Sequence, residues 1–234
     1  NTGSAGKFNP NDIALSNFTV QANDIAYRPE SASIAIEQFS FADKSGFQLK
    51  NLNLDAVLGD VSALLSEFNL ETNGSAIKGT GTLHYTSVTS LINQPENTQI
   101  DFTIPQIHLS IQDAFLFQSE LANNPSIKKA TSNPFTGNMQ AKGTLAALEI
   151  SEFDFNWGED TYLKVIGQVE NMLQADSLRF DFTTIEAVSK RNDVVRFVSE
   201  KDLGISVPQD ISVQATAHGS PTDIVIDASL KIPE

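Results

Sequence analysis

The feature that most constrains the fold is an octapeptide pattern that occurs four times. It reads apolar, any, apolar, two mostly polar residues, apolar, any, apolar. Each half alternates with a period of two, as in a β-strand with one buried face. The two-residue spacer would turn the second apolar pair to the other face of a regular strand, and a β-bulge corrects this by absorbing one residue. The copies occupy residues 13–20, 34–41, 47–54 and 148–155.

The pattern therefore predicts a bulge or sharp bend inside each copy, at residues 16–17, 37–38, 50–51 and 151–152. Other alternating segments surround the copies, and clusters of Gly, Asn, Asp, Ser and Pro separate them at short intervals. Short alternating runs between turn clusters are typical of antiparallel β proteins. The clearest turns are predicted at residues 43–46, 72–75, 157–160 and 219–222.

Two stretches depart from the β pattern and are predicted to be short helices that plug or cap the sheet. Residues 112–122 have helical spacing and precede Pro125, and residues 191–201 precede Gly204. Proline and glycine commonly follow helix ends. Between the two stretches, a loop containing Pro134 suggests a boundary between an N-terminal β half, residues 1–125, and a C-terminal β half, residues 126–234. One continuous domain is the alternative.

Composition argues against several function classes. The chain carries 29 acidic and 15 basic residues, a net charge of −14, which repels nucleic-acid phosphates. It has no cysteine, so disulfides, thiolate metal sites and cysteine nucleophiles are excluded. No apolar run is long enough for a membrane-spanning helix. His84, His108 and His218 are far apart, and no hydrolase or nucleotide-binding motif is present. We predict a protein that is not an enzyme, binds no nucleic acid, and carries no metal or cofactor.

The order of several short segments along the chain indicates a family. The C-terminal half contains TGNMQAKGTL (136–145), LEISEF (148–153), GEDTYLK (158–164), GQV (167–169), DVVRF (193–197) and ISVP (205–208), and the N-terminal half contains FADKSGFQLKNL (41–52). In this combination the chain resembles the AsmA-like/TamB group of bacterial envelope proteins, especially those of Bacteroidetes. The resemblance covers most of the chain, and it lies in the combination rather than in any single motif.

The resemblance implies a periplasmic β-sheet that curls around an apolar groove, in a protein anchored to the inner membrane by an N-terminal helix. It implies a role in moving phospholipid between membranes or in assembling outer-membrane proteins. Against that family pattern, we expect the present chain to lack both the anchor and the segment associated with an outer-membrane β-barrel partner. It is therefore expected to be a fragment, and contact with such a partner is expected only through regions outside it.

Two interpretations of the apolar repeats stay open at this point. In the first, a curled, bulged antiparallel sheet forms a groove for phospholipid or another acyl-chain lipid. In the second, a closed β-sandwich binds a protein or glycan through exposed aromatic residues, for which Tyr27, Tyr85, Trp157 and Tyr162 are the candidates. The groove candidates are Ile34, Ile36, Phe39, Phe41, Phe47, Leu49, Leu52, Leu54, Leu148, Ile150, Phe153 and Phe155.

Overall fold

The chain folds as an all-β protein, as predicted. The computed structural model describes residues 14–28 and 31–231. Its strands follow one another through a mostly antiparallel sheet in chain order, except that the two-residue β3 pairs only with β2. The sheet is not closed, and β1 and β13 are its edges. The strands within the described ranges are β1 (Leu15–Arg28), β2 (Ser31–Asp43), β3 (Gln48–Leu49), β4 (Asn51–Gly59), β5 (Ser62–Glu71), β6 (Ala76–His84), β7 (Gln99–Leu109), β8 (Phe135–Thr144), β9 (Ala147–Trp157), β10 (Thr161–Glu170), β11 (Arg179–Lys190), β12 (Asp210–Ser220) and β13 (Asp223–Lys231).

Short helices lie in the connections, including both predicted places. The stretch predicted at 112–122 forms α2 (Ile111–Phe117) and a 3₁₀ turn (Ser119–Asn123), and the stretch at 191–201 forms α4 (Arg191–Val194) and α5 (Glu200–Leu203). Further helices, not anticipated, are α1 (Val88–Asn93), α3 (Pro125–Ala130), and the 3₁₀ turns Pro95–Asn97 and Ala175–Ser177. Local caps explain α1 and α3. Ser87 and Ser90 form a capping box at the start of α1, and the Asn124 side chain accepts from two backbone N–H groups of α3.

The predicted bulges are confirmed in three copies of the repeat. In the first, Ser16 pairs with Ala42 but Thr19 pairs with Ser40, so β1 has one extra residue around Asn17, whose φ is 52°. Asparagine tolerates this left-handed conformation better than most residues. Ile13, the first residue of that copy, lies outside the described residues.

The second copy shows how a bulge restores the facing of apolar side chains. Val20 and Ala22 alternate regularly on β1, yet their partners on β2 are Phe39 and Ile36, with Glu37 as the extra residue. In the third copy the strand is interrupted at Lys50, between β3 and β4. The predicted break at residues 50–51 is therefore a bend between two strands.

The fourth copy of the repeat contains a similar β-bulge, on β9. Leu163 and Gly167 are four residues apart on β10, whereas their β9 partners Phe155 and Ile150 are five apart. Gly167 also lies where the pairing of β10 with β11 shifts register, and a Cβ at this position would collide with the backbone carbonyl oxygen of Asp181. Only glycine fits this close approach.

The chain divides into two compact units. The first unit comprises residues 1–82 and 104–135, and the second comprises residues 83–103 and 136–234. In the second unit Ile100, Ala141 and Leu148 form a small buried cluster, onto which Leu83, Phe102 and Leu145 pack. No large side chain in the described part of either unit is less than 2% exposed. Apolar residues thus gather on sheet faces more than in a deep core.

Candidate functional site

One face of the first unit collects the apolar side chains of four strands. Residues directly opposite each other on paired strands share a face. Ile36 pairs with Leu54, which in turn pairs with Phe68. Further apolar residues lie directly opposite each other on β1, β2, β3, β4 and β5 in the same way. We call the resulting set the first apolar face, and its members are Val20, Ala22, Ile34, Ile36, Phe39, Phe41, Leu49, Leu52, Leu54, Ala56, Leu65, Phe68 and Leu70.

A chain of aromatic contacts crosses this face. Phe18 contacts Phe39 at 5.7 Å between ring centroids, and Phe39 contacts Phe41 at 5.6 Å. Phe41 contacts Phe47 at 5.8 Å, and Phe47 contacts Phe117 at 5.3 Å. The angles between ring planes range from tilted to edge-on, as aromatic pairs prefer. These contacts join the edge strand β1 to helix α2.

The opposite face of the first unit is mostly polar, although Val57 and Leu64 pair on it. Asn53 pairs with Asn69, and the Asn69 side-chain amide donates to Asn53 Oδ1 at 3.3 Å. On the next row Asp55 pairs with Glu67. This division into an apolar and a polar face follows directly from the period of two in the sequence.

The second unit has an equivalent face. Phe155 pairs with Leu163, Ile150 with Gly167, and Leu148 with Val169. The rings of Phe153 and Phe155 stack with centroids 4.5 Å apart. The row continues across β11, β12 and β13. The members of this second apolar face are Leu148, Ile150, Phe153, Phe155, Trp157, Leu163, Val165, Val169, Phe180, Phe182, Ile185, Ala187, Val213, Ala215, Ala217, Ile224, Ile226, Ala228 and Leu230.

The structure places the predicted groove residues on these two faces or beside them, eight in the first unit and four in the second. Phe47, Leu49 and Leu148 are buried, with Leu148 in the small core cluster. Ile34 is 36% exposed. The other members are half-buried: Ile36, Phe39, Phe41, Leu52, Leu54, Ile150, Phe153 and Phe155. Most of the candidates therefore keep part of their apolar surface in contact with solvent.

Several residues of these faces were missed by the sequence prediction. Phe180 and Phe182 stack at 5.0 Å between centroids, with their ring planes 13° apart, and they lie beside β10 and β12. The alternation of residues 178–182 was visible in the sequence, but these residues lie outside the octapeptide copies. Phe68 was missed for the same reason.

The aromatic residues proposed for a surface-binding module are mostly not exposed. Tyr27 is 85% exposed, but Tyr85 and Trp157 are buried and Tyr162 is half-buried. The expectation that all four lie on the surface is wrong. Trp157 is covered because a segment after β11 folds back over its ring.

Each unit has a short segment that closes one end of its apolar face. We call α2 (Ile111–Phe117) the first cap. Its Asp113 is buried and accepts hydrogen bonds from Thr72 Oγ1 at 2.5 Å and from the backbone N–H of Gly74, 3.1 Å from both carboxylate oxygens. Its Phe117 contacts Phe47. The cap thus connects the turn between β5 and β6 to the aromatic chain.

The second cap comprises residues 191–197, which follow β11. Its Asp193 is buried and accepts a hydrogen bond from Thr161 Oγ1 at 2.8 Å. Phe197 contacts Trp157 at 5.4 Å between ring centroids, and the guanidinium carbon of Arg196 lies 5.6 Å from the Trp157 ring centroid. A guanidinium over an indole ring is a favourable cation–π arrangement.

Charged groups near the caps are held by local partners. The hydroxyl and backbone N–H of Ser45 hold the pKa of the Asp43 carboxyl at about 2, below its usual 3.8. In the second unit, Arg191 forms two hydrogen bonds to Glu200, at 3.0 Å and 2.6 Å, which lower the pKa of Glu200. Lys190 forms an ion pair with Asp160 at 3.1 Å.

On the polar side of the second unit, Tyr162 donates to Asp154 at 2.6 Å. This bond, together with burial, raises the pKa of Tyr162 to about 12. Such a phenol is a structural donor rather than a proton-transfer group at neutral pH.

In the described ranges, no group of three or more His, Asp or Glu side chains is arranged to hold a metal ion. Nor does any helix in that part of the chain have the length and apolar character needed to cross a bilayer. Comparison with protein-family models, with curated proteins and with solved structures gave no match for this chain. The resemblance to the AsmA-like/TamB group thus stays a prediction from the sequence.

Proposed function

We propose that the two apolar faces bind the acyl chains of lipids. The observation that carries this proposal is the pair of long rows of apolar side chains, most of them half-exposed, on an antiparallel sheet that does not close. Soluble domains rarely leave large contiguous apolar surfaces uncovered unless these surfaces bind something. An acyl chain is a suitable occupant, since each buried methylene contributes about 0.8 kcal/mol.

The acyl chain fits these faces better than a polar ligand does. Aliphatic and aromatic side chains offer dispersion contacts but no hydrogen-bond donors to a sugar or peptide. Apolar pockets with few polar groups are the usual environment for apolar ligands. The net charge of −14 also favours zwitterionic or neutral lipids over anionic headgroups at the rim.

In a cell, the protein would be a non-enzymatic segment of a bacterial envelope scaffold that conducts phospholipid or assists outer-membrane protein assembly. This part of the proposal rests on the resemblance to the AsmA-like/TamB group and carries its expectation of a periplasmic location. A closed sandwich that binds a protein or glycan is less favoured, because Trp157 and Tyr85 are buried.

The test is native mass spectrometry of detergent-free protein, followed by lipid extraction. The variants Phe39→Asp and Phe155→Asp place a carboxylate on the first and second apolar faces. Their matched controls, Ser40→Asp and Asn156→Asp, place the same group on the neighbouring residue of the same strand. We expect wild type and controls to retain the same amount of lipid. Each face variant should retain less, because one of the two faces no longer binds, while it keeps the β-sheet circular dichroism signal.

Two results would count against the proposal. One is a wild-type protein that carries no lipid and takes none up from phosphatidylcholine vesicles. The other is equal lipid retention in the face variants and in their controls.

A further inference from the structure

The two caps are related to each other in sequence. The first reads Ile-Gln-Asp-Ala-Phe-Leu-Phe over residues 111–117, and the second reads Arg-Asn-Asp-Val-Val-Arg-Phe over residues 191–197. Each begins within two residues of the end of a long strand, β7 or β11. Aspartate is the third residue and phenylalanine the seventh in both.

The two shared residues have the same roles in both units. Each aspartate is buried and accepts a hydrogen bond from a threonine hydroxyl at a hairpin turn, Thr72 or Thr161. Each phenylalanine lies against an aromatic ring at one end of its apolar face, Phe47 or Trp157. The other five residues of the heptapeptide differ between the two caps, so the aspartate and the phenylalanine are the features that the caps share.

The exposure of the aromatic pairs indicates which ring covers the other. Phe117 is 44% exposed and Phe197 is 39% exposed, while Phe47 and Trp157 are only 8% and 5% exposed. The cap phenylalanine therefore forms the outer layer over the inner ring. If the cap moved away, the inner ring would become accessible at the end of the apolar face.

The attachment of the second cap is local and polar. Apart from the aromatic layer, the bond from Thr161 connects Asp193 to the turn before β10, and Thr161 also shares a hydrogen bond with Ser189 at 2.8 Å. At its first residue the cap is held by Arg191, whose backbone N–H donates to the Gln209 carbonyl and whose side chain binds Glu200. Only four residues of the cap are helical. Short elements held by few contacts open locally at lower free energy than the strands they cover.

We propose that the second cap is a lid that opens over Trp157, with the Thr161–Asp193 hydrogen bond as its latch. The first cap is the equivalent lid over Phe47, latched through Thr72 and Asp113. In its role of admitting and retaining an acyl chain, the lid rests on the proposed function. The opening itself is a property of the protein alone and is tested separately.

Trp157 reports the opening because it is the single tryptophan of the chain. The test variant is Thr161→Val, which removes the donor and keeps a β-branched residue in the strand. The matched control is Thr72→Val, the same change at the first latch. Phe197→Ala removes the covering ring and gives the reference signal of Trp157 without that ring. Acrylamide quenching and the emission maximum are measured for each.

We expect Thr161→Val to raise the open fraction about tenfold, since it removes a hydrogen bond to a charged group. Trp157 is then quenched more strongly and emits at longer wavelength, toward the Phe197→Ala reference signal. Thr72→Val leaves Trp157 at the wild-type value. Equal quenching in Thr161→Val and wild type, with a clear rise in Phe197→Ala, overturns the latch. No rise in Phe197→Ala overturns the lid.

Hydrogen exchange of the wild type keeps the proposal testable if Thr161→Val does not fold. The backbone N–H groups of Val195 and Val198 donate within the cap region, to Arg191 and Val194. A lid predicts that these amides exchange faster than the central amides of β10 and β11. Exchange at the same rate as those strands contradicts it.

The acyl-chain role is tested last, with palmitate as the probe. Both latch variants are made in a Phe39→Asp background, which removes binding in the first unit, so that only the second unit is measured. Palmitate release that is faster from Thr161→Val than from Thr72→Val supports a lid that retains the acyl chain. If Trp157 opens but no variant binds palmitate, the lid stands and the proposed function fails. If palmitate binds but Thr161→Val releases it no faster than Thr72→Val does, the proposed function stands and the lid does not retain the acyl chain.

Discussion

The two caps close equivalent positions with different chemistry. The first cap is fastened by one carboxylate that takes three hydrogen-bond contacts, from Thr72 and Gly74, and its half-buried residues Phe115 and Leu116 are apolar. On the second cap, the Asp193 carboxylate accepts one hydrogen bond, from the Thr161 hydroxyl, and forms a longer ion pair with Arg196 at 3.7 Å. Arg196 lies over Trp157, and Arg191 binds Glu200.

This difference indicates which cap residues are needed to cover the end of an apolar face. Aspartate and phenylalanine are common to both caps, so a buried acceptor and an outer ring suffice for the geometry. The flanking positions adjust how firmly and under which conditions each cap is held. We expect the first cap to be the firmer of the two and the second to be the more sensitive to salt.

The largest contrast is expected on removing the two buried carboxylates. Asp113→Ala leaves the Thr72 hydroxyl and the Gly74 N–H without their acceptor and should lower the free energy of unfolding by about 2–3 kcal/mol. Asp193→Ala leaves the Thr161 hydroxyl without its acceptor and removes the ion pair with the exposed Arg196, and it should lower the free energy of unfolding by about 1–2 kcal/mol. Urea denaturation of the two variants measures both values. A larger loss for Asp193→Ala would reverse the comparison.

A pH dependence is expected beside the first cap, from Asp43. Its folded-state pKa of about 2 lies below the usual 3.8, so the carboxylate stabilises the fold above pH 4. That contribution is lost as the pH falls from about 4 to 2. Asp43→Asn should therefore be less stable than wild type at pH 7 and approach it near pH 2. Asp60→Asn, at an exposed bend, controls for the change in net charge. A stability gap that does not shrink on acidification would contradict this account of Asp43.

The smallest effect is expected from the ion pair between Arg191, the first residue of the second cap, and Glu200. Arg191 and Glu200 are both partly exposed, so their interaction is weak and screened by salt. Arg191→Gln should destabilise the protein slightly at low ionic strength and not measurably at 1 M salt, where the Debye length is about 3 Å. Lys201→Gln is the matched charge control. A loss that persists unchanged in high salt would show that Arg191 acts through packing.

The strand layout and its bulges were predictable because they are local. A period of two with a two-residue interruption has one simple structural solution, and Asn17, Glu37 and the β9 bulge after Ile150 all adopt it. The turns at 43–46 and 72–75 were predictable for the same reason, since Gly, Asn and Asp favour turn conformations.

The caps were predictable in position but not in contact. Helical spacing located residues 112–122 and 191–201, yet the bonds from Thr72 to Asp113 and from Thr161 to Asp193 join residues far apart in sequence. No local pattern specifies such a pair. The recurrence of aspartate and phenylalanine four residues apart was the available signal. The burial of Trp157, which the closed-sandwich interpretation expected to be exposed, was not predictable because its cover, Phe197, comes from another element.

The most direct test of the central claim is photo-crosslinking with a palmitate analogue that carries a diazirine on its acyl chain. After irradiation and proteolysis, mass spectrometry identifies the residues to which the acyl chain of the analogue has become attached. The account predicts crosslinks on apolar-face residues such as Phe39, Leu54 and Phe155, and none on Asn53, Glu67 or Asn156 of the opposite faces. Crosslinks distributed equally over both faces, or confined to the polar faces, would contradict it.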